Sequence, residues 1–152
     1  MLNANHRSAV TLIETVLVIT LLAAAAMSAA VMFDQRWVAR RSVASATNDI
    51  ANSLILARNT AVANRAPVTV RPLRRNGLAL LNIEAAAGPL RDAKLWTVSL
   101  GSEIRISGSP QSIRFSPVGS TDRGLRWTVQ QTQVSGVVTV AARDGNVERT
   151  LP

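Results

Sequence analysis

At 152 residues the chain has room for one small domain beyond an N-terminal segment, and its 17 Lys plus Arg against nine Asp plus Glu give a formal charge of +8. It has no cysteine, which excludes a disulfide framework and Cys/His chemistry, and its single histidine, His6, leaves no His- or Cys-rich metal site and, if that N-terminal stretch is a removable leader, no Ser/His/Asp arrangement in the mature chain. The acids Glu84, Asp92, Glu103, Asp122, Asp144 and Glu148 are too scattered for a calcium loop, and no GxGxxG or phosphate-loop pattern occurs. The expectation is a protein that is not an enzyme and holds no metal or cofactor.

The first element is an apolar run from Ala9 to Phe33, in which the 19 residues from Thr15 to Phe33 carry no formal charge. About 20 apolar residues cross a hydrocarbon core as a helix. Glu14 sits inside this run, where an ionisable group costs roughly 2.5 kcal/mol or more and marks a partner or a task. A secretory signal is the competing reading, with Arg7 in its basic region and small residues as far as Ala30 for a cleavage site. The length of the run and its acid both argue against that, because signal cores are apolar and shorter. The distribution of Arg7 before the run and Arg36, Arg40 and Arg41 after it would by itself put the C-terminal part in the cytoplasm.

Beyond Phe33, Val43, Ala46, Ile50, Leu54, Ala57 and Ala61 recur every three or four residues, one apolar stripe on a polar helix. No Pro or Gly intervenes between Val10 and Asn64, so the spacing predicts one helix over that range, roughly 80 Å long at 1.5 Å per residue. Pro67 ends it. Trp37 with Arg36, Arg40 and Arg41 suits a membrane-interface belt as well as it suits a solvated helix start.

From Pro67 the period becomes two. Val68 and Val70, then Leu78, Leu80 and Ile83, flank Arg74-Arg75-Asn76-Gly77, a hairpin signal. Further strands are expected at 95–100, 103–106, 112–115, 125–130 and 137–141, with Asp144-Gly145 turning into Val147. Gly88-Pro89, Gly108-Ser109-Pro110, Pro117 to Gly119 and Asp122-Arg123-Gly124 punctuate them. The fold class is α+β: a long N-terminal spine helix packed on a small antiparallel sheet or two-sheet sandwich.

Ser8-Ala9-Val10-Thr11-Leu12-Ile13-Glu14 resembles the class III leader junction of type IV pilins and type II secretion pseudopilins, with Ala9 and Val10 where the family usually carries Gly and Phe. The resemblance implies a cytoplasmic leader, 1–9, cut by a prepilin peptidase between Ala9 and Val10, and N-methylation of Val10. Removing Arg7 with the leader leaves 16 bases against nine acids, a formal +7. It further implies a transmembrane half of the spine helix over 10–35, an amphipathic periplasmic half over 36–65 and a β-rich head over 66–152. On this reading the protein is a single-pass protein of the bacterial inner membrane with its head in the periplasm, against the charge distribution noted above. Glu14 becomes the fifth mature residue, the family's assembly glutamate, whose counter-charge is a neighbour's N-terminal ammonium.

Three later patches, Leu54 to Arg65 with Pro67-Val68-Thr69-Val70, Ile113 to Gly119, and Val138 to Val147, resemble the H-type minor pseudopilins, the GspH/FimT family. That implies a subunit near the tip of a type II secretion pseudopilus, partnered by other pseudopilins, the prepilin peptidase and membrane lipid. The alternative is a FimT/FimU-like type IV minor pilin that primes pilus assembly or binds DNA. For it the Arg surplus would be a phosphate-contacting surface, with Arg71, Arg74 and Arg75 as the tightest cluster. A GC-rich coding bias toward Arg, scattered over a solvated surface, is the plainer account of the surplus.

Overall fold

In the computed structural model the described residues are 12–32 and 35–152, with side chains described for 12–28 and 36–152. They form two compact units that meet in sequence between Gln35 and Arg36.

The first unit contains α1, Leu12–Met32. With no Gly or Pro and a core of Leu, Ala and Met, the segment has strong helix propensity. Its polar side chains are answered locally: Thr20 Oγ1 donates to the carbonyls of Val16 (3.0 Å) and Leu17 (2.9 Å), and Ser28 Oγ to those of Ala24 (2.8 Å) and Ala25 (3.0 Å). Leu12, Ile13, Val16 to Ile19, Leu21, Leu22 and Met27 are all exposed, so the apolar surface runs around the helix. Among the described residues no helix is long and apolar enough to cross a membrane. The span expected over 10–35 takes in residues 10, 11, 33 and 34, which lie outside the described residues, as does the junction within the single helix expected from Val10 to Asn64.

Helix α2, Gln35–Asn64, lies in the second unit from Arg36 onward. All six residues of the expected stripe, from Val43 to Ala61, are at most 2% exposed. Three of the six are alanines, which let the helix lie close to the strands it covers. The helix ends in a Schellman motif: the Ala66 N–H donates to the Ala61 carbonyl (3.2 Å) and the Arg65 N–H to that of Val62 (3.3 Å). Arg65 occupies the left-handed position, at φ 51°, that glycine usually fills.

Eight strands follow: β1 Val68–Arg75, β2 Leu78–Ala85, β3 Lys94–Gly101, β4 Arg105–Ser109, β5 Ile113–Phe115, β6 Leu125–Gln131, β7 Val134–Val140 and β8 Val147–Thr150. They make two antiparallel sheets, β3-β2-β1-β5 and β4-β6-β7-β8. The β1–β2 hairpin turns at Asn76 (φ 51°) and Gly77 (φ 78°), the two positive angles that favour Asn-Gly there. Inward residues of both sheets, including Val68, Val70, Phe115, Trp127, Val129 and Val138, join the α2 stripe in one core.

Three local expectations are corrected. Leu78 is 41% exposed while Ala79 is 5%, so the buried face of β2 runs through Ala79, Leu81 and Ile83 rather than Leu78 and Leu80. Gly108 and Ser109, expected as turn, lie in β4 opposite Trp127 and Arg126. The strand tolerates Gly108 because its backbone packs where a Cβ would come within 2.0 Å of the Arg126 carbonyl. Finally, β7 begins at Val134, three residues before the expected start at Val137, after a two-residue connection through Thr132 and Gln133.

Candidate functional site

Glu14 is the third residue of α1, exposed in its first turn, where the helix dipole favours a negative charge. Ala9 and Val10 lie outside the described residues. At the start of α2, the Arg41 guanidinium carbon sits 5.6 Å from the centroid of the Trp37 ring, an i, i+4 cation–π pair on an exposed face. Farther along, Ile55, Leu56 and Val62 are also exposed, which leaves apolar surface on α2 facing away from the core.

The pleat of β1 divides the three arginines singled out from the sequence. Successive side chains of a strand point to opposite faces, so Arg71 and Arg75 share one face with Leu73, while Arg74 lies on the face of Val68 and Val70. Arg74 is exposed, and its Nη2 donates to the Ser102 carbonyl at 3.0 Å. Arg71 and Arg74 line a cleft of about 910 Å³; Arg75 does not.

That cleft follows from strand lengths. With only three residues, β5 pairs with β1 over Val68 to Val70, so β1 has no strand on that side from Arg71 to Arg75. Across the gap, β4 is the edge strand of the other sheet and pairs only with β6. Ile104, Ala79 and Trp127 contribute apolar lining, and the Trp127 indole is pinned by donating from Nε1 to the Pro110 carbonyl at 2.8 Å. A further arginine, Arg105 on β4, reaches the same cleft. Its place beside Arg71 and Arg74 depends on two sheets separating, and no local sequence signal carries that.

Arg58 on α2 has a structural part instead. Its Nε donates to the Gly119 carbonyl at 3.1 Å, tying the helix to the connection between β5 and β6. Asp144 is a turn former, its Oδ1 accepting the Asn146 N–H at 3.1 Å. Among the described residues no group of three His, Asp or Glu side chains is placed to hold a metal.

No curated protein matches the chain significantly in sequence. Two crystal structures of the type IV minor pilin FimU of Pseudomonas aeruginosa share its fold. One has a TM-score of 0.57 at 17% identity, covering 74% of this chain and 90% of FimU. The other crystal form gives 0.51 at 16% identity, covering 69% and 90%. The family model described as "Type II transport protein GspH" matches residues 46–145, from the middle of α2 to the turn before β8. GspH and pilin-like proteins are structural subunits rather than enzymes. The helix-on-two-sheets core lies mostly within that match, and the chain belongs to the GspH family of pilin-like proteins.

Proposed function

We propose that the chain is a minor pseudopilin, a structural subunit near the tip of a type II secretion pseudopilus that supports protein export by assembling through its N-terminal helix. The observation that carries this reading is the GspH match over 46–145, joined to a helix α1 that is apolar on every side and holds Glu14 in its first turn. A helix apolar all round needs lipid or other helices around it. In the proposed arrangement residues 10–35 cross the bacterial inner membrane, the leader 1–9 is removed in the cytoplasm by a prepilin peptidase between Ala9 and Val10, and the head stands in the periplasm. The methylated ammonium of one subunit's Val10 then meets a neighbour's Glu14 in the filament core. A subunit out of register separates that pair in an apolar surrounding, at a cost of several kcal/mol.

Co-purification tests the assembly role. Glu14→Ala is expected to leave membrane insertion intact and to abolish recovery of the chain with other pilin-like subunits; normal recovery of the variant would refute it. Mass spectrometry of the N-terminus of membrane-extracted protein tests the processing, with methylated Val10 expected and a start beyond Ala30 excluding it.

The exposed arginines support a second reading, a type IV minor pilin that takes up DNA or primes a pilus. Arg71 and Arg74, with Arg105, present guanidinium groups to one cleft, and phosphate contacts would make duplex binding fall steeply with salt. Absence of such binding at low salt leaves the pseudopilin reading.

A further inference from the structure

We propose that the cleft between β1 and β4 takes an extended acidic segment of another polypeptide, which adds as a strand to the free edge of β4 while its carboxylates meet Arg71, Arg74 and Arg105. The backbone supplies the first argument. Residues 105–109 pair with β6 on one side only, so their other side turns unpaired N–H and C=O groups toward the cleft. Proline and lysine, the usual guards of a free edge, do not occur in Arg105–Ser109. Across the cleft β1 is guarded, because Pro72 has no N–H to offer and is tolerated where the ring faces an unpaired side. Strand addition is thus directed to β4.

Size and charge agree with that occupant. A five-residue strand is about 17 Å long and takes roughly 4.8 Å by 10 Å in cross-section, on the order of 800 Å³, against a cleft of about 910 Å³. The lining carries three arginines and no Asp or Glu, and guanidinium groups bind carboxylates through paired, charge-assisted hydrogen bonds. Nucleic acid fits less well. A single strand needs exposed aromatic faces for its bases, and the cleft's one aromatic side chain, Trp127, is 1% exposed. The site is built from the head alone and stands separately from the filament reading.

Fluorescence anisotropy on the full-length protein in detergent micelles tests it, with labelled Thr-Glu-Val-Glu-Val-Thr as the probe. The controls are Thr-Lys-Val-Lys-Val-Thr, the acidic peptide N-methylated on alternate amides, and an oligothymidylate of matched charge. The acidic peptide is expected to bind at least about tenfold more tightly than each control. Binding should slow hydrogen exchange of the 105–109 amides, and Arg105→Glu should weaken it about tenfold with the unfolding midpoint unchanged, since Arg105 is exposed. Equal binding of the N-methylated peptide would reduce the site to a charged patch without strand addition. Tighter binding of the oligothymidylate, or no binding of the acidic peptide, would overturn the proposal.

Discussion

At Gly136 the β7 backbone lies against α2, and placing one methyl group there measures how tightly the helix is seated. A Cβ on Gly136 would lie 2.6 Å from Thr47 Oγ1, 3.3 Å from the Thr150 carbonyl and 3.4 Å from Val43 Cγ1. The second needs a shift of a few tenths of an ångström and the third is close to ordinary contact; the first does not fit. Thr47 is fully buried and its hydroxyl donates to the Val43 carbonyl at 2.7 Å, so moving it forfeits that bond, about 1 kcal/mol. Overpacking adds about 1–3 kcal/mol, and the stiffer unfolded chain of Gly136→Ala returns about 0.4–1 kcal/mol. The expected net cost of Gly136→Ala is about 1–3 kcal/mol. In a Thr47→Ala background the blocking atom is gone, and the same substitution should be neutral or slightly stabilising, a coupling of about 2 kcal/mol. Urea unfolding of the full-length protein in detergent, followed by the fluorescence of buried Trp127, reads all four forms. Equal costs in the two backgrounds would mean that Thr47 does not set the approach of helix to sheet.

Other perturbations bear on the same head. Arg65→Gly should raise the unfolding free energy by up to about 1 kcal/mol, since Arg65 holds a left-handed angle at the end of α2; a fall in the urea midpoint would contradict the Schellman assignment. Arg58→Ala should cost about 1–2 kcal/mol through loss of the charged hydrogen bond to Gly119, with faster exchange of the Gly119 and Ser120 amides, whose turn to Ser116 it steadies. Trp127→Phe should cost about 1.5–3 kcal/mol by leaving the Pro110 carbonyl unanswered and a gap in the core. An unchanged melting temperature would argue against Trp127 as the anchor of the cleft floor.

The parts of this fold that could be read from sequence are those set by local chemistry. The α2 stripe is visible because a half-buried helix must repeat its apolar residues every three or four positions, and Val43 to Ala61 do so without interruption. Asn76-Gly77 announces its hairpin because both positions need positive φ. The misread details were decided by packing. Ala79 is buried in place of the larger Leu78 because the register of β2 against β1 and β3 assigns the faces, and residue size does not enter. The start of β7 was hidden by Ser135-Gly136, a pair that reads as loop until α2 is seen to require a residue without a side chain at 136. Its turn gave no warning either, because Thr132 takes φ 53° without Asn or Gly chemistry. The arginine cluster was legible as charge and not as geometry: Arg75, at the hairpin end of β1, lies outside the cleft, and the separation of the sheets brought Arg105 in.

Where the apolar surface goes distinguishes the two ends of the chain. In the second unit the apolar stripe of α2 and the inward residues of the strands converge on one core. In α1 the large apolar side chains from Leu12 to Met27 are exposed all round. On the proposed reading lipid covers them before assembly and neighbouring helices afterwards, so that one surface serves both insertion and polymerisation. Apolar contact alone has little directional preference, and sliding one such helix along another would change its energy only slightly. The charged pair proposed for Glu14 and Val10 supplies the missing register, because its separation costs several kcal/mol where the apolar contacts are nearly indifferent. A subunit built this way depends on its carboxylate for position and on its methyl groups for affinity. Glu14→Gln, which keeps the shape and loses the charge, should then insert into the membrane normally and lose co-purification with other pilin-like subunits as Glu14→Ala does, whereas normal recovery of the glutamine variant would mean that shape and not charge sets the register.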